Sequence, residues 1–174
     1  MARWIRNAVL LGLIAGAFSG LVLADFFLRH EETGKTRRWL LGRGYAPDAD
    51  AVLRAVDLGD GKALEAFPQI GLSLGEPGTS GETPLSAAVR GGDVATAEYL
   101  LGKVGVLQTL NHRASDGQTA LSLAIGGHHY SLAEKLIEAG AAMEKGKPWV
   151  AEAVQNDDVG LFRFSVKQEV AVDE

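Results

Sequence analysis

The sequence predicts an all-α protein, a solenoid of about four helix-pair units with short hairpin loops, preceded by a single transmembrane helix. Three observations lead there. An uncharged run, Ala8–Ala24, comes after a short basic head. Two stretches of the body, Gly81–Leu101 and Gly117–Ile137, match each other at a fixed spacing of 36 residues. The chain also holds 22 glycines but only five prolines, the balance expected of short packed helices joined by glycine turns.

Charge divides the chain at the same place. Residues 1–44 carry a net charge of +4, and residues 45–174 a net of −9. A basic head on an acidic body fits a membrane-facing start and a separate remainder. An acidic body repels phosphate, which argues against nucleic acid as its partner. There is no cysteine, so disulfides, thiolate metal sites and a cysteine nucleophile are excluded.

The first element is residues 7–28, read as a membrane-spanning helix within an N-terminal segment of residues 1–28. From Ala8 the apolar run extends past Asp25 to Leu28, about 31 Å as a helix, which matches the hydrocarbon thickness of a bilayer. Asp25 lies near the far end, and Trp4, Phe26 and Phe27 sit where interfacial aromatics belong. The alternative is a secretory signal cleaved after Val22-Leu23-Ala24, which would make the body a secreted binder. Six residues with Arg3 and Arg6 ahead of the span favour export of the body. Arg29, Lys35, Arg37, Arg38 and Arg43 beyond it favour the opposite side. The expectation is a single-pass membrane protein whose body leans to the extracytoplasmic side.

Within that run Ala8, Gly12, Gly16, Gly20 and Ala24 recur every four residues. Residues so spaced line one side of a helix, and in lipid such a groove lets helix backbones approach closely. Gly12, Gly16 and Gly20 are therefore assigned to packing against a transmembrane partner, either a second copy or another protein. Residues 29–45 form a basic juxtamembrane linker. Its Trp39, Leu40 and Leu41 would rest on headgroups, cover the first face of the body, or stay in water.

Residues 46–174 contain the repeats. Both matched stretches read G-x-T-[PA]-L-S-x-A, two glycines, then A-E-x-L-[LI]. Thr83-Pro84 is a helix start, a hydroxyl to accept orphan amides and then a preset proline. Two weaker copies flank them, aligning Ala55 with Ala88 and Ala153 with Ala124. Thr83-Pro84-Leu85-Ser86-Ala87-Ala88 and Thr119-Ala120-Leu121-Ser122-Leu123-Ala124 resemble the ankyrin repeat, whose unit begins T-P-L-H-x-A and packs two antiparallel helices. Serine replaces the family's histidine in both, so its hydrogen bond to threonine becomes a question for the structure. The segment Gly102–Gly117 exceeds the family spacing by three residues and is expected to project as an enlarged finger.

The resemblance implies a protein that binds another protein through hairpin tips and inner helices. Carried onto this chain, those positions are Glu82, Ser86, Arg90, His112, Arg113, Ser115 and Gln118. The residues themselves lead to the expectation of no cofactor and no catalysis. His128-His129 lacks the company of a metal site and fits a turn. Gly59-Asp60-Gly61-Lys62 lacks the full phosphate-loop frame. Asn156-Asp157-Asp158 reads as an inter-helix turn.

Overall fold

The computed structural model describes residues 31–143 and 149–172. All described elements are helical, with no strand among the described residues. The chain divides into two compact units, Met1–Pro47 and Asp48–Glu174.

In the first, residues 31–42 form helix α1. Lys35 pairs with Glu31 and Glu32 on its first turns. Leu40 and Tyr45 are buried, whereas Trp39 and Leu41 are exposed, with the Arg43 guanidinium 4.9 Å above the Trp39 ring. The expected span at 7–28, with Gly12, Gly16 and Gly20, lies outside the described residues. Among those described, no helix is long and apolar enough to cross a membrane.

The second unit contains four helix pairs. They are α2 (Ala49–Asp57) with α3 (Gly61–Ala66), α4 (Pro84–Arg90) with α5 (Val94–Leu101), α7 (Ala120–Gly126) with α8 (Tyr130–Glu138), and α9 (Trp149–Gln155) with α10 (Val159–Val172). Helix α3 runs on into a 3-10 turn at Phe67–Ile70, and a short α6 (Val104–Gln108) falls between the second and third pairs. First helices stack on first helices, α2 on α4 and α4 on α7, while second helices stack α5 on α8 and α8 on α10.

One turn is used four times. Gly59, Gly92, His128 and Asp157 each adopt the left-handed conformation, with φ between 53° and 69°. The next residue then donates its amide back to the aligned alanine: Asp60 to Ala55, Asp93 to Ala88, His129 to Ala124 and Asp158 to Ala153, at 2.8–3.0 Å. This is the bonding that closes a helix through a left-handed residue. The same amide-donating residue starts the second helix, and Asp60, Asp93 and Asp158 cap it with a carboxylate. The weak flanking copies are thus full members of the stack. Two of the four left-handed positions lack glycine, which costs roughly 1 kcal/mol each. Asp157→Gly is therefore expected to stabilise the last pair by about 1 kcal/mol, read as an upward shift of the urea midpoint.

The first helices of the central pairs begin in capping boxes. Thr83 Oγ1 accepts the Ser86 amide at 3.2 Å while Ser86 Oγ accepts the Thr83 amide at 3.0 Å, and Thr119 and Ser122 repeat the arrangement. Serine thus takes over the hydrogen bond to threonine that the missing histidine leaves open.

The segment after α5 differs from the expected projecting finger. Val106 and Leu110 are buried, and the chain from α6 onward is stitched to the linker 73–82. Thr109 Oγ1 donates to the Gly75 carbonyl at 2.8 Å. Val106 and Leu110 need cover, which folding back onto this linker supplies, while Leu107 stays exposed.

Candidate protein-binding surface

Two tight turns, 36 residues apart, form the tips of the central repeats. In the first, Gly78 donates to the Glu82 carbonyl and Gly81 to that of Gly78. In the second, Ala114 donates to Gln118 and Gly117 to Ala114, all at 2.8–3.0 Å. Gly81 and Gly117 hold φ of 77° and 78°, a backbone that a side chain would strain.

The tips are locked to each other. Ser115 Oγ donates to the Ser80 carbonyl at 2.6 Å, and His112 Nε2 lies 3.0 Å from the Gly81 carbonyl oxygen. Arg90, at the end of α4, donates from Nε to Glu82 at 2.9 Å and from Nη2 to Asp116 at 3.1 Å. Arg113 donates to the Gly117 carbonyl. The Gln118 amide, and after it Arg90, hold the Asp116 carboxyl below its usual range. The result is a polar ridge of alternating charge on a rigid frame.

Of the residues expected to make contacts, Glu82, Arg90, His112, Arg113, Ser115 and Gln118 lie along this ridge. Ser86 does not: it is buried, with its hydroxyl used in the capping box. The ridge also contains Asp116 and Ser80, which sequence reasoning does not separate from ordinary turn residues. The Asp116-Gly117 pair marks a turn without revealing that Asp116 faces Arg90 across 26 positions.

A second polar cluster joins the last two repeats. Tyr130 donates its hydroxyl to Asp158 Oδ2 at 2.5 Å, and His128 Nδ1 lies 2.8 Å from both groups. Burial, then the Asp158 carboxylate, push the Tyr130 phenol above its ordinary range. The Tyr130 hydroxyl, then the Leu161 amide, hold Asp158 below its own. The cluster fastens α10 to α8, and Glu134 with Lys167 at 2.8 Å does the same. No group of three or more His, Asp or Glu side chains able to hold a metal occurs among the described residues.

The lowered carboxyls set a pH dependence. Asp158, Asp116 and Asp93, the last held down by the Thr96 hydroxyl and amide, bind protons less readily folded than unfolded. Their contribution is present above the ordinary aspartate value of about 4 and is lost as pH falls through the lower folded values. Stability measured by urea unfolding is expected to decline below about pH 4, and Asp158→Asn is expected to flatten that decline.

Comparison with known proteins agrees with this geometry. The family model described as "Ankyrin repeats (3 copies)" matches residues 52–147. "Ankyrin repeat and SOCS box protein 2" of Rattus norvegicus is 37% identical over 97 residues, covering 53% of this chain and 14% of that protein. The chain therefore spans only a small part of that relative's length. Among solved structures, it is similar to a chain of the complex between the Bd0816 predatory endopeptidase from Bdellovibrio bacteriovorus and the immunity protein Bd3460. That match has a TM-score of 0.52 and 26% identity over 73% of this chain and 68% of the other.

Proposed function

The chain belongs to the ankyrin-repeat family, and from that premise we propose that it holds one particular protein on the ridge of its central repeats while residues 7–28 anchor it in a membrane. The observation that carries the reading is the ridge itself. Glu82 and Asp116 on turns pinned to one another, with Arg90 and Arg113 beside them, present both signs of charge. Pre-organised polar groups lose little entropy on binding and discriminate partners by charge match. Nothing in this reading asks the repeats for a reaction centre.

The anchor part rests on the apolar run and its interfacial aromatics, and the small-residue groove adds a transmembrane partner. With that anchor, the body is assigned to the extracytoplasmic side. Affinity purification of the full chain from detergent-extracted membranes tests both halves. Arg90→Glu with Arg113→Glu is expected to lose the co-purifying protein while circular dichroism stays unchanged. Gly16→Leu is expected to lose a membrane partner only. Retention of every partner by both variants would overturn the proposal.

A second reading is favoured by the similarity to a chain of an enzyme–immunity protein complex. In it the chain is a secreted inhibitor that occupies an enzyme, with its N-terminal segment removed. Mass spectrometry of the mature N-terminus separates the two, since an intact start is incompatible with cleavage.

A further inference from the structure

We propose that the outer face of the last described pair, the side of α9 and α10 left uncovered by α7 and α8, docks an amphipathic helix of another protein that carries a carboxylate beside its apolar stripe. This surface is separate from the ridge of the central repeats.

At two positions of the four helix pairs, aligned on the alanine that accepts the turn hydrogen bond, only the last pair is exposed. Directly after that alanine stand Val56, Val89, Ile125 and Val154. The first three are at most 5% exposed, because the next pair covers them, while Val154 is 68% exposed. Four positions into the second helix stand Leu64, Ala97, Ala133 and Phe162. Again the first three are buried, and Phe162 is 43% exposed. On α10, Val159, Phe162 and Val166 fall at i, i+3 and i+7, one stripe on a single side, and all three are exposed. An outer side that faces water is expected to be polar. This one carries a large aromatic and three valines where a further helix would sit.

Charge says which helix. Beside that stripe position, the four pairs carry Glu65, Glu98, Glu134 and Arg163. At two of the boundaries the glutamate meets a lysine from the next pair, Glu98 with Lys135 and Glu134 with Lys167. On the outer face of the last described pair the sign is reversed, and no described residue pairs with Arg163. Another repeat of the same kind would bring a lysine against it. A second copy packed two-fold, α10 on α10, would bring the two Arg163 side chains toward each other. A helix with Asp or Glu beside its aliphatic stripe matches both the shape and the charge.

The test uses two labelled, Ala-rich helical peptides of about 22 residues, long enough to hold helix in isolation. They share a Leu/Val stripe and differ only in Glu or Lys beside it. Titrated by fluorescence anisotropy into the full chain, the Glu peptide is expected to bind about threefold or more tightly than its Lys twin, the range open to one exposed ion pair swapped for a repulsion. Arg163→Glu is expected to invert the preference. Phe162→Asp and Val154→Asp are each expected to abolish binding of both peptides. Absence of binding, equal affinity, or binding retained in both aspartate variants overturns the proposal. So does self-association of the full chain that Phe162→Asp abolishes in sedimentation velocity, because the face is then covered by a second copy.

Discussion

Phe67→Ala is expected to destabilise the repeat body by about 3–5 kcal/mol, the largest effect among the four aligned second-helix positions. Phe67 is completely buried where α3 passes into its 3-10 turn, and its carbonyl accepts the Leu72 amide at 3.1 Å as the chain leaves the repeat. The equivalent positions in the other pairs hold Leu100, Leu136 and Ser165, all buried. Phenylalanine is the largest of the four, so its loss opens the largest cavity. Ser165 is accommodated differently: its hydroxyl donates to the Leu161 carbonyl at 2.9 Å, while the neighbouring Phe164 is buried with its ring 6.0 Å from that of Tyr130. Because stacked repeats couple only to their neighbours, the loss should first appear in the first pair. Urea unfolding with hydrogen exchange checks this, with protection of residues 49–70 expected to fall before that of residues 120–138. A shift below about 1 kcal/mol would mean that Phe67 packs against a pocket able to collapse.

Gly75→Ala is expected to cost about 1–3 kcal/mol or more. A Cβ on Gly75 would enter the carbonyl of Gly105 and stand 2.9 Å from the Val106 amide nitrogen. The obstacle is backbone on both sides and has no side chain that can swing aside. The contact belongs to the fold-back of α6 onto the linker, so the same substitution should free that segment. Thermal unfolding gives the size of the effect. Limited proteolysis locates it, with new cleavage expected between Lys103 and Arg113. An unchanged melting temperature with unchanged proteolysis would show that the two segments of chain do not approach as described.

Much of this architecture is legible in the sequence because its signals are local. Thr83-Pro84 and Thr119-Ala120 start helices by capping chemistry confined to four residues, and the paired glycines end them. The outer pairs are visible through a single aligned alanine, and the alignment holds for a physical reason: that alanine is the acceptor of the turn bond. What escapes is whatever depends on residues distant in sequence. Helix α6 has no side-chain cap and only five residues, so nothing local distinguishes it from a loop. Its burial against Gly75 is a tertiary fact. Ser86 falls among contact residues because its position faces a partner in the family pattern, but the capping box draws it inward. Asp116 escapes because its role exists only opposite Arg90. His128 and Asp157 are legible as turn residues, but their left-handed backbone, most often glycine's, shows only in the repeated bonding of that turn.

Whether the body of the chain is a rigid frame for holding another protein on its central tips is tested most directly by photo-crosslinking in native membranes. The crosslinking residue is placed in the full chain at Arg113, and separately at Glu65 on the second helix of the first pair. Attachment of one defined protein from Arg113, absent from Glu65 and lost on adding Arg90→Glu, is the predicted result. Equal attachment from both positions, or attachment from Glu65 alone, would contradict it.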